Sequence, residues 1–221
     1  MPPNHTDDIA VVFADLDTDG VGSRFNTDRL GGYLDELLRW NPRLGLVSKQ
    51  DTPRIAAGLI RRSVRLWDFV TSHSDLDPSL RRCRVADIGT GGGFPGLVWA
   101  MLQPKLDIVL IERKTRKTAF LERVVRKTGA TGVKIAAMDL GEAARTDRYQ
   151  HAFELAVMMA VAPPERHADD IERLLAKGGL FCSIRREGDR SPPQRIGTSL
   201  VQCAADSTTT GRFVLFRQFE G

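Results

Sequence analysis

A glycine cluster between two apolar runs is the feature that most constrains what this chain can fold into. The segment 87–96, DIGTGGGFPG, follows a short apolar run and leads into an apolar stretch at residues 97–102. This order of features predicts a strand, a tight turn and a helix. A second apolar run, residues 107–111, ends at Glu112, which lies 19 residues after Gly93. The spacing predicts a nucleoside site between two parallel strands.

The residue types in this segment suit a ligand that contains a ribose. Glycine lets the backbone approach a ligand closely and adopt positive φ, and the helix that follows directs its unpaired amide groups at the turn. A carboxylate at the end of the next strand, here that of Glu112, can accept hydrogen bonds from both ribose hydroxyls. We therefore predict a cofactor site formed by Asp87, Gly89, Gly91, Gly93, Phe94, Gly96 and Glu112.

Two classes of cofactor meet this description. A dinucleotide places its pyrophosphate on the start of the helix and usually requires a third glycine, but Phe94 occupies that position. Phe94 and Pro95 narrow the space for a pyrophosphate. S-adenosylmethionine carries no phosphate, so the sequence favours a methyl donor over a dinucleotide. A glycine-rich turn with only a structural role is the third possibility.

Alternating strand and helix patterns extend this unit into an α/β domain with a mostly parallel sheet. We expect residues 1–78 to form a helical extension and residues 79–221 to form a Rossmann-like domain that ends in an antiparallel hairpin. Predicted helices lie at 27–40, 51–70, 97–102, 115–127 and 163–176. Predicted strands lie at 85–88, 107–111, 133–137, 153–157, 180–184, 196–204 and 212–218.

Ligands of parallel sheets bind beyond the carboxyl ends of the strands. Asp139 and Leu140 follow the predicted third strand, and Met159 follows the fourth. We expect these residues to complete the cofactor site. His151 and His167 are weak candidates for catalysis, and Cys182 is expected to be a core thiol. The sequence identifies no catalytic acid or base.

Charge and composition limit the class of protein. The chain has 221 residues, a net charge of +4 and basic clusters that include residues 61–65 and 113–127. Such clusters are typical of nucleic-acid binding, although a solvated helix face would look the same. Three separated cysteines predict reduced thiols and no structural metal. No apolar run is long enough for a membrane span and the first residues do not resemble a leader peptide, so we expect a cytoplasmic protein.

The motifs together resemble the RsmG (GidB) family of 16S ribosomal RNA guanine-N7 methyltransferases, over about residues 33–218. The block at 87–96 carries most of the likeness, and Glu112 is followed by the family's signature at residues 116–121, RKTAFL. Trp40-Asn41 and the stretch 159–163, MAVAP, resemble two further motifs. The resemblance implies a class I S-adenosylmethionine-dependent methyltransferase fold and a structured RNA partner, 16S rRNA or the small ribosomal subunit. RNA contacts are expected from Arg61, Arg62, Arg116, Lys117, Arg185 and Arg186.

Some positions depart from the family pattern. Met159 stands where the family has an arginine, and Arg61-Arg62 stand where it commonly has Arg-His. A methionine cannot reproduce the bidentate contact of an arginine. Two alternatives therefore stay open: a divergent relative that methylates a small molecule or a protein, and a binding module without catalysis. If the acceptor is guanine N7, methyl transfer requires in-line placement of the reactants more than a base.

Overall fold

An eight-stranded sheet lies at the centre of the fold in the computed structural model of this protein. The structure describes residues 5–76, 82–159, 163–185, 193–208 and 211–219. Its strands are β1 (Arg84–Ile88), β2 (Asp107–Ile111), β3 (Val133–Ala136), β4 (Phe153–Met158), β5 (Leu175–Arg185), β6 (Arg195–Ile196), β7 (Leu200–Thr208) and β8 (Gly211–Gln218). They are ordered β3-β2-β1-β4-β5-β8-β7-β6. Neighbouring strands from β3 to β5 in this order pair in parallel. The pairs β5–β8, β8–β7 and β7–β6 are antiparallel. The predicted fold class, including the terminal β7–β8 hairpin, is confirmed.

Seven α-helices accompany the sheet in the described residues. They are α1 (Thr6–Asp17), α2 (Thr27–Leu44), α3 (Thr52–Ser72), α4 (Gly96–Leu102), α5 (Thr115–Thr128), α6 (Leu140–Ala144) and α7 (Ala168–Leu174). Short 3-10 helices lie at Gly22–Arg24, Asp147–Tyr149 and Pro164–His167. Within the described ranges, no helix is both long and apolar enough to cross a bilayer.

The sequence predicts Thr27 as the N-cap of α2 and Trp40-Asn41-Pro42 as its end, and the structure differs at both positions. Its N-cap is Asn26, whose side chain accepts a hydrogen bond from the Arg29 amide at 3.0 Å, rather than Thr27. The helix also continues past Pro42, which was predicted to end it. A proline in the last turn removes only one helical N–H. The helix ends instead at Gly45, whose left-handed backbone (φ +56°) lets its N–H donate to the Asn41 carbonyl at 2.9 Å.

The predicted helix at 163–176 was also too long. The structure has a 3-10 turn and then α7, and β5 begins at Leu175, before the glycines that were expected to end the helix. Leu175 pairs with Phe153 in β4, and after a shift in register Leu180 pairs with Leu155. Gly178 adopts φ +72° within the resulting bulge. Strand pairing with β4 therefore outweighs the local helical pattern.

Both faces of the sheet are covered, so the fold has three layers. Alternate strand residues pack under α1–α5 on one face, and their neighbours pack under α6 and α7 on the other. The N-terminal helices share this core: the rings of Trp67 and Trp99 lie 5.3 Å apart, and Trp99 Nε1 donates to the Ser63 carbonyl at 2.8 Å. A division of the chain into domains at residue 78 stays a prediction. Cys182 is buried in β5, as expected of a core thiol.

Candidate cofactor site

The turn between β1 and α4 lies at the carboxyl edge of the parallel strands, together with the ends of β2, β3 and β4. Gly91 and Gly93 adopt φ +58° and +97°, which few residues other than glycine tolerate. A Cβ on Gly93 would lie 2.4 Å from Leu97 Cδ1. The glycines are therefore needed for the bend itself and for its contact with α4.

Glu112 faces this turn, as the sequence predicted. Its Oε2 accepts a hydrogen bond from the Gly91 amide at 3.2 Å, and its Oε1 accepts one from the Lys114 amide at 2.8 Å. The side chain is 7% exposed. A carboxylate can accept about four hydrogen bonds. Two acceptor positions thus remain for a ligand such as a ribose.

Asp87, near the end of β1, has a buried carboxylate oxygen without a hydrogen-bond partner in the described residues. Its Oδ2 accepts hydrogen bonds from Thr90 Oγ1 at 2.6 Å and from the Gly96 amide at 2.8 Å. Its Oδ1 is buried and has no hydrogen-bond partner among the described residues. Such groups are rare in native proteins and often mark a functional position.

In the part of the chain that the structure describes, no cation forms an ion pair with Asp87. Burial, together with the smaller effect of the Glu112 charge, raises the pKa of Asp87 to about 7 against the opposing effect of the hydrogen bonds from Thr90 and Gly96. Two acidic side chains therefore share one partly enclosed site. This arrangement favours a ligand that carries positive charge and a hydrogen-bond donor.

Tyr33, in α2, closes the turn from the N-terminal side. Its hydroxyl donates to the Gly92 carbonyl at 2.8 Å, and its ring lies 5.7 Å from that of Phe94. Burial raises the pKa of Tyr33, and the nearby Asp87 charge adds to the effect, so the hydroxyl stays a donor. The sequence placed Tyr33 only on the apolar face of a helix, and no local motif distinguishes it from a core residue.

The remaining predicted cofactor residues lie at the same edge of the sheet. Met159 directly follows β4 and is 7% exposed, and Leu140 is 8% exposed. Asp139 is the N-cap of α6: its Oδ1 accepts from the Glu142 amide at 2.9 Å, while its own amide donates to Glu142 Oε2 at 3.0 Å. The Asp139 amide is therefore already used by this capping box. That these three residues contact a cofactor stays a prediction.

The arginines and lysine predicted to contact RNA have different surroundings in the described part of the chain. Arg61 bridges α3 to the N-terminal segment through Asp15 and Asp19, at 3.1 and 2.6 Å. Arg62 is partly buried, which lowers the pKa of its guanidinium. Lys117 Nζ lies 3.7 Å from the position that a Cβ on Gly91 would take, and Arg116 beside it is exposed. Of the last two predicted contacts, Arg185 ends β5 and Arg186 lies outside the described residues.

Comparison with protein families gives one match that covers most of the chain. The family model described as GidB, rRNA small subunit methyltransferase G, matches residues 26–196. A ribosomal RNA small subunit methyltransferase G of Rhodopseudomonas palustris (strain HaA2) is 35% identical over 166 residues, which cover 74% of this chain and 65% of that protein. The protein of the same name from Desulfitobacterium hafniense (strain Y51) is 29% identical over 153 residues, 69% of this chain and 60% of that protein. The match thus spans somewhat less than two thirds of these relatives.

Solved structures share the fold at low sequence identity. A mutant of MtNAS in complex with S-adenosylmethionine superposes with a TM-score of 0.61 at 14% identity, over 97% of this chain and 98% of that one. A SAM-dependent methyltransferase from Aquifex aeolicus gives a TM-score of 0.52 at 14% identity, over 70% and 89% of the two chains. These likenesses bear on the architecture alone.

Proposed function

The chain belongs to the GidB family, rRNA small subunit methyltransferase G, and from this premise we propose that it transfers the methyl group of S-adenosylmethionine to guanine N7 of 16S ribosomal RNA. The family match supports the reaction class. The observation that carries the cofactor assignment is the pair of acidic side chains at the glycine turn, Asp87 and Glu112, in which Asp87 Oδ1 has no hydrogen-bond donor among the described residues.

This charge discriminates between the two cofactor classes that the sequence left open. A dinucleotide would bring an anionic pyrophosphate next to two carboxylates, and like charges at close range repel. S-adenosylmethionine carries a sulfonium and an ammonium, both positive. An ammonium is also the kind of donor that the unpaired Asp87 Oδ1 lacks. The residues present therefore fit a cationic nucleoside better than a dinucleotide.

The roles of the site residues follow from their contacts. We assign the ribose hydroxyls to the free acceptor positions of Glu112, the cationic end of the cofactor to Asp87, and the close backbone approach to Gly91. Met159 and Leu140 would supply apolar walls. When bound, S-adenosylmethionine supplies an electrophilic methyl group on a positively charged sulfur. The protein contributes orientation and exclusion of water around that group.

A guanine acceptor agrees with the side chains at this edge of the sheet. Guanine N7 has a lone pair and carries no proton, so the reaction requires no residue to remove one. Neither Asp87 nor Glu112 is needed as a base, and each can serve in binding alone. Two cations beside the turn, the exposed Arg116 and the partly buried Lys117, suit the phosphates that flank a target base.

Methylation of isolated ribosomal subunits tests the proposal. Small subunits and 16S rRNA from a strain that lacks this protein would be incubated with the purified chain and S-adenosylmethionine labelled on the methyl group. We expect label in 16S rRNA that is released as 7-methylguanosine after digestion. Subunits from the strain that contains the protein are already modified and should accept little label. Binding of S-adenosylhomocysteine without any label in RNA would contradict the proposal.

Met159 supports a second candidate, an acceptor other than RNA. It directly follows β4 at the position where the family has an arginine, so one expected contact to an anionic group is missing. A small-molecule or protein acceptor would not depend on phosphate contacts. Turnover that is insensitive to salt would favour this candidate, because phosphate-driven binding weakens steeply with ionic strength.

A further inference from the structure

A second concave site lies between α2 and α5, outside the glycine turn. It has a volume of about 380 Å³, which is within the range of roughly 300–1,000 Å³ typical of small-ligand pockets. Its lining consists of apolar and cationic side chains only. We call it the α2–α5 groove, and it is lined by Trp40, Arg43, Leu44, Arg116, Ala119, Phe120 and Arg123.

The cations of the α2–α5 groove are available to a ligand. Neither Arg43 nor Arg116 forms an ion pair with an acid in the described parts of the chain, and both are exposed. Arg123 is half-exposed and is held by Glu36, whose Oε2 accepts from Arg123 Nε at 2.5 Å. The rim of the groove therefore carries a net positive charge, and an anionic ligand complements it.

The apolar surface of the groove contains an oriented aromatic ring. Trp40 is half-buried, and its Nε1 donates to Glu36 Oε2 at 3.0 Å. The guanidinium carbon of Arg43 lies 5.8 Å from the centre of the indole ring. Flat aromatic and guanidinium surfaces are the platforms on which proteins stack unpaired bases. The small side chain of Ala119 leaves room beside this platform.

Both walls of the groove continue into the glycine turn. On the α5 side, Arg116 lines the groove while the neighbouring Lys117 reaches to within 3.7 Å of a Cβ position on Gly91. On the α2 side, the chain runs from Leu44 to Leu46, whose Cβ lies 3.4 Å from a Cβ position on Gly92. A strand of RNA whose target base enters the turn can therefore place an adjacent nucleotide in the groove.

We propose that the α2–α5 groove binds one unpaired nucleotide of the RNA substrate next to the methylated base. Its base stacks on the surface formed by Trp40 and Arg43, and its phosphates contact Arg116 and Arg123. The inference rests on the proposed function for the identity of the RNA. An acidic peptide shares the charge of this ligand but lacks a planar base.

Fluorescence anisotropy of a labelled, short single-stranded RNA tests the site in the full chain. Trp40→Leu removes the stacking surface and should weaken binding about tenfold, the range of base–aromatic stacking. Trp40→Phe keeps an aromatic ring and should retain most of the affinity. The variant Arg116→Ala removes one phosphate contact, so it should weaken binding and reduce the slope of log affinity against log salt by about one. Arg126→Ala, on the same helix but outside the groove, is the matched control and should bind RNA like the unmodified chain.

Three results would overturn the proposal. In the first, Trp40→Leu binds RNA like the unmodified chain although the arginine variant does not, so the groove attracts anions without recognising a base. In the second, polyglutamate displaces the RNA as well as an unlabelled RNA does. In the third, Arg126→Ala weakens binding as much as the groove variants. Competition by guanosine monophosphate tests whether the groove binds a free nucleotide as well as RNA. We expect guanosine monophosphate to displace the labelled RNA only at concentrations far above those at which unlabelled RNA does.

S-adenosylhomocysteine binding separates this inference from the proposed function. The groove variants leave the glycine turn intact, so we expect their affinity for S-adenosylhomocysteine to be unchanged. A chain that binds RNA through the groove but transfers no methyl group would contradict the proposed function alone. A chain that methylates RNA equally well in all groove variants would contradict the groove alone.

Discussion

Asp87 in the glycine turn and Glu36 in α2 are both buried carboxylates, with 0% and 1% of their surface exposed, but their pKa values shift in opposite directions. Burial raises the pKa of Asp87 to about 7 because its partners are neutral donors and its charged neighbour is another acid. Burial also acts on Glu36, but hydrogen bonds from Arg123 and Lys127 outweigh it and hold the pKa below its ordinary value. Burial raises the pKa of both groups, so the opposite directions of the two shifts come from the cationic partners of Glu36.

Glu36 lies in a structural contact between α2 and α5, whereas Asp87 lies in the proposed cofactor site. Glu36 is complete within the protein: two cations and the Trp40 indole satisfy it, and it joins α2 to α5. Among the described residues, Asp87 Oδ1 has no hydrogen-bond donor and no cation forms an ion pair with Asp87. A buried acid in that state destabilises the free protein and is stabilised by a cationic ligand. These properties of Asp87 therefore support the proposed cofactor site more specifically than the shape of a cavity does.

The largest expected effect is a pH dependence that originates at Asp87. The folded pKa of about 7 lies above the ordinary value of 3.8, so the folded state binds the proton more tightly than the unfolded state. The contribution to stability is complete below the ordinary pKa and is lost as pH rises through the folded pKa. The free energy of unfolding should fall by at most about 1.4 kcal/mol per pH unit in this window. Chemical denaturation across the window, in the unmodified chain and in Asp87→Asn, measures the difference.

Asp87→Asn cannot ionise and should lack this slope. Asp28→Asn, an exposed acid in the first turn of α2, is the control and should keep it. If the free energy of unfolding of Asp87→Asn falls with pH as steeply as that of the unmodified chain, another group titrates in this range. The contrast between the pKa values of Asp87 and Glu36 would then lack support. As a further check, affinity for S-adenosylmethionine should rise over the same pH range, since the cation favours the ionised form of Asp87.

Glu112→Gln should give the next largest effect, on cofactor binding. A hydrogen bond to a charged group contributes about 1.5–3 kcal/mol, so its loss weakens binding by roughly ten- to 100-fold. Calorimetry with S-adenosylhomocysteine measures this change. Glu122→Gln removes an equal charge from an exposed position on α5 and should leave the affinity unaltered. Equal losses in the two variants would mean that the general field of the protein, and not the contact at the turn, holds the cofactor.

Gly96→Ala should destabilise the protein itself. A Cβ at this position would lie 2.4 Å from Leu110 Cδ2 and 2.7 Å from Asp87 Oδ2. Overpacking of this kind costs about 1–3 kcal/mol. Gly58→Ala is the control, because no atom lies within 4 Å of its Cβ position in α3 and the change should stabilise by about 0.5–1 kcal/mol. Thermal unfolding of both variants compares them, and a neutral Gly96→Ala would mean that the turn adapts more easily than its contacts indicate.

The two regions also differ in how far the sequence predicts them. The glycine turn and Glu112 were found because a local motif and a fixed spacing encode them, and each binding group follows a strand of the same sheet. The hydrogen bond from the Tyr33 hydroxyl to Gly92 was not predicted, because it depends on how α2 packs over the turn. The unpaired Asp87 oxygen was not predicted either, because the sequence does not show which donors a buried carboxylate meets. The predicted end of the helix at 163–176 was wrong for a related reason. Leu175 pairs with Phe153, and this long-range contact outweighs the local helical pattern.

The α2–α5 groove was not predicted as a site, although some of its residues belong to motifs that the sequence analysis names. Its side chains come from segments about 75 residues apart. Trp40 was predicted at the end of a helix, and Arg116 was predicted as an RNA contact within a basic cluster. Sequence periodicity gives the face of a helix but not the partner that covers it, so a site formed between two helices emerges only from the packing.

Glu36→Gln should have the smallest effect and tests the structural side of the comparison. The amide has one acceptor oxygen where the carboxylate has two, so it loses either the hydrogen bond from Lys127 or those from Arg123 and Trp40. The hydrogen bonds that it keeps no longer have a charged acceptor and are weaker. We expect Tm to fall by about 2–4 °C at neutral pH, which corresponds to a loss near 1 kcal/mol. Because the pKa of Glu36 is lowered, the unmodified chain loses this stabilisation as pH falls through the folded pKa, so the two proteins should converge in acid. A difference in Tm that persists or grows in acid would mean that Glu36 acts through packing and not through its charge.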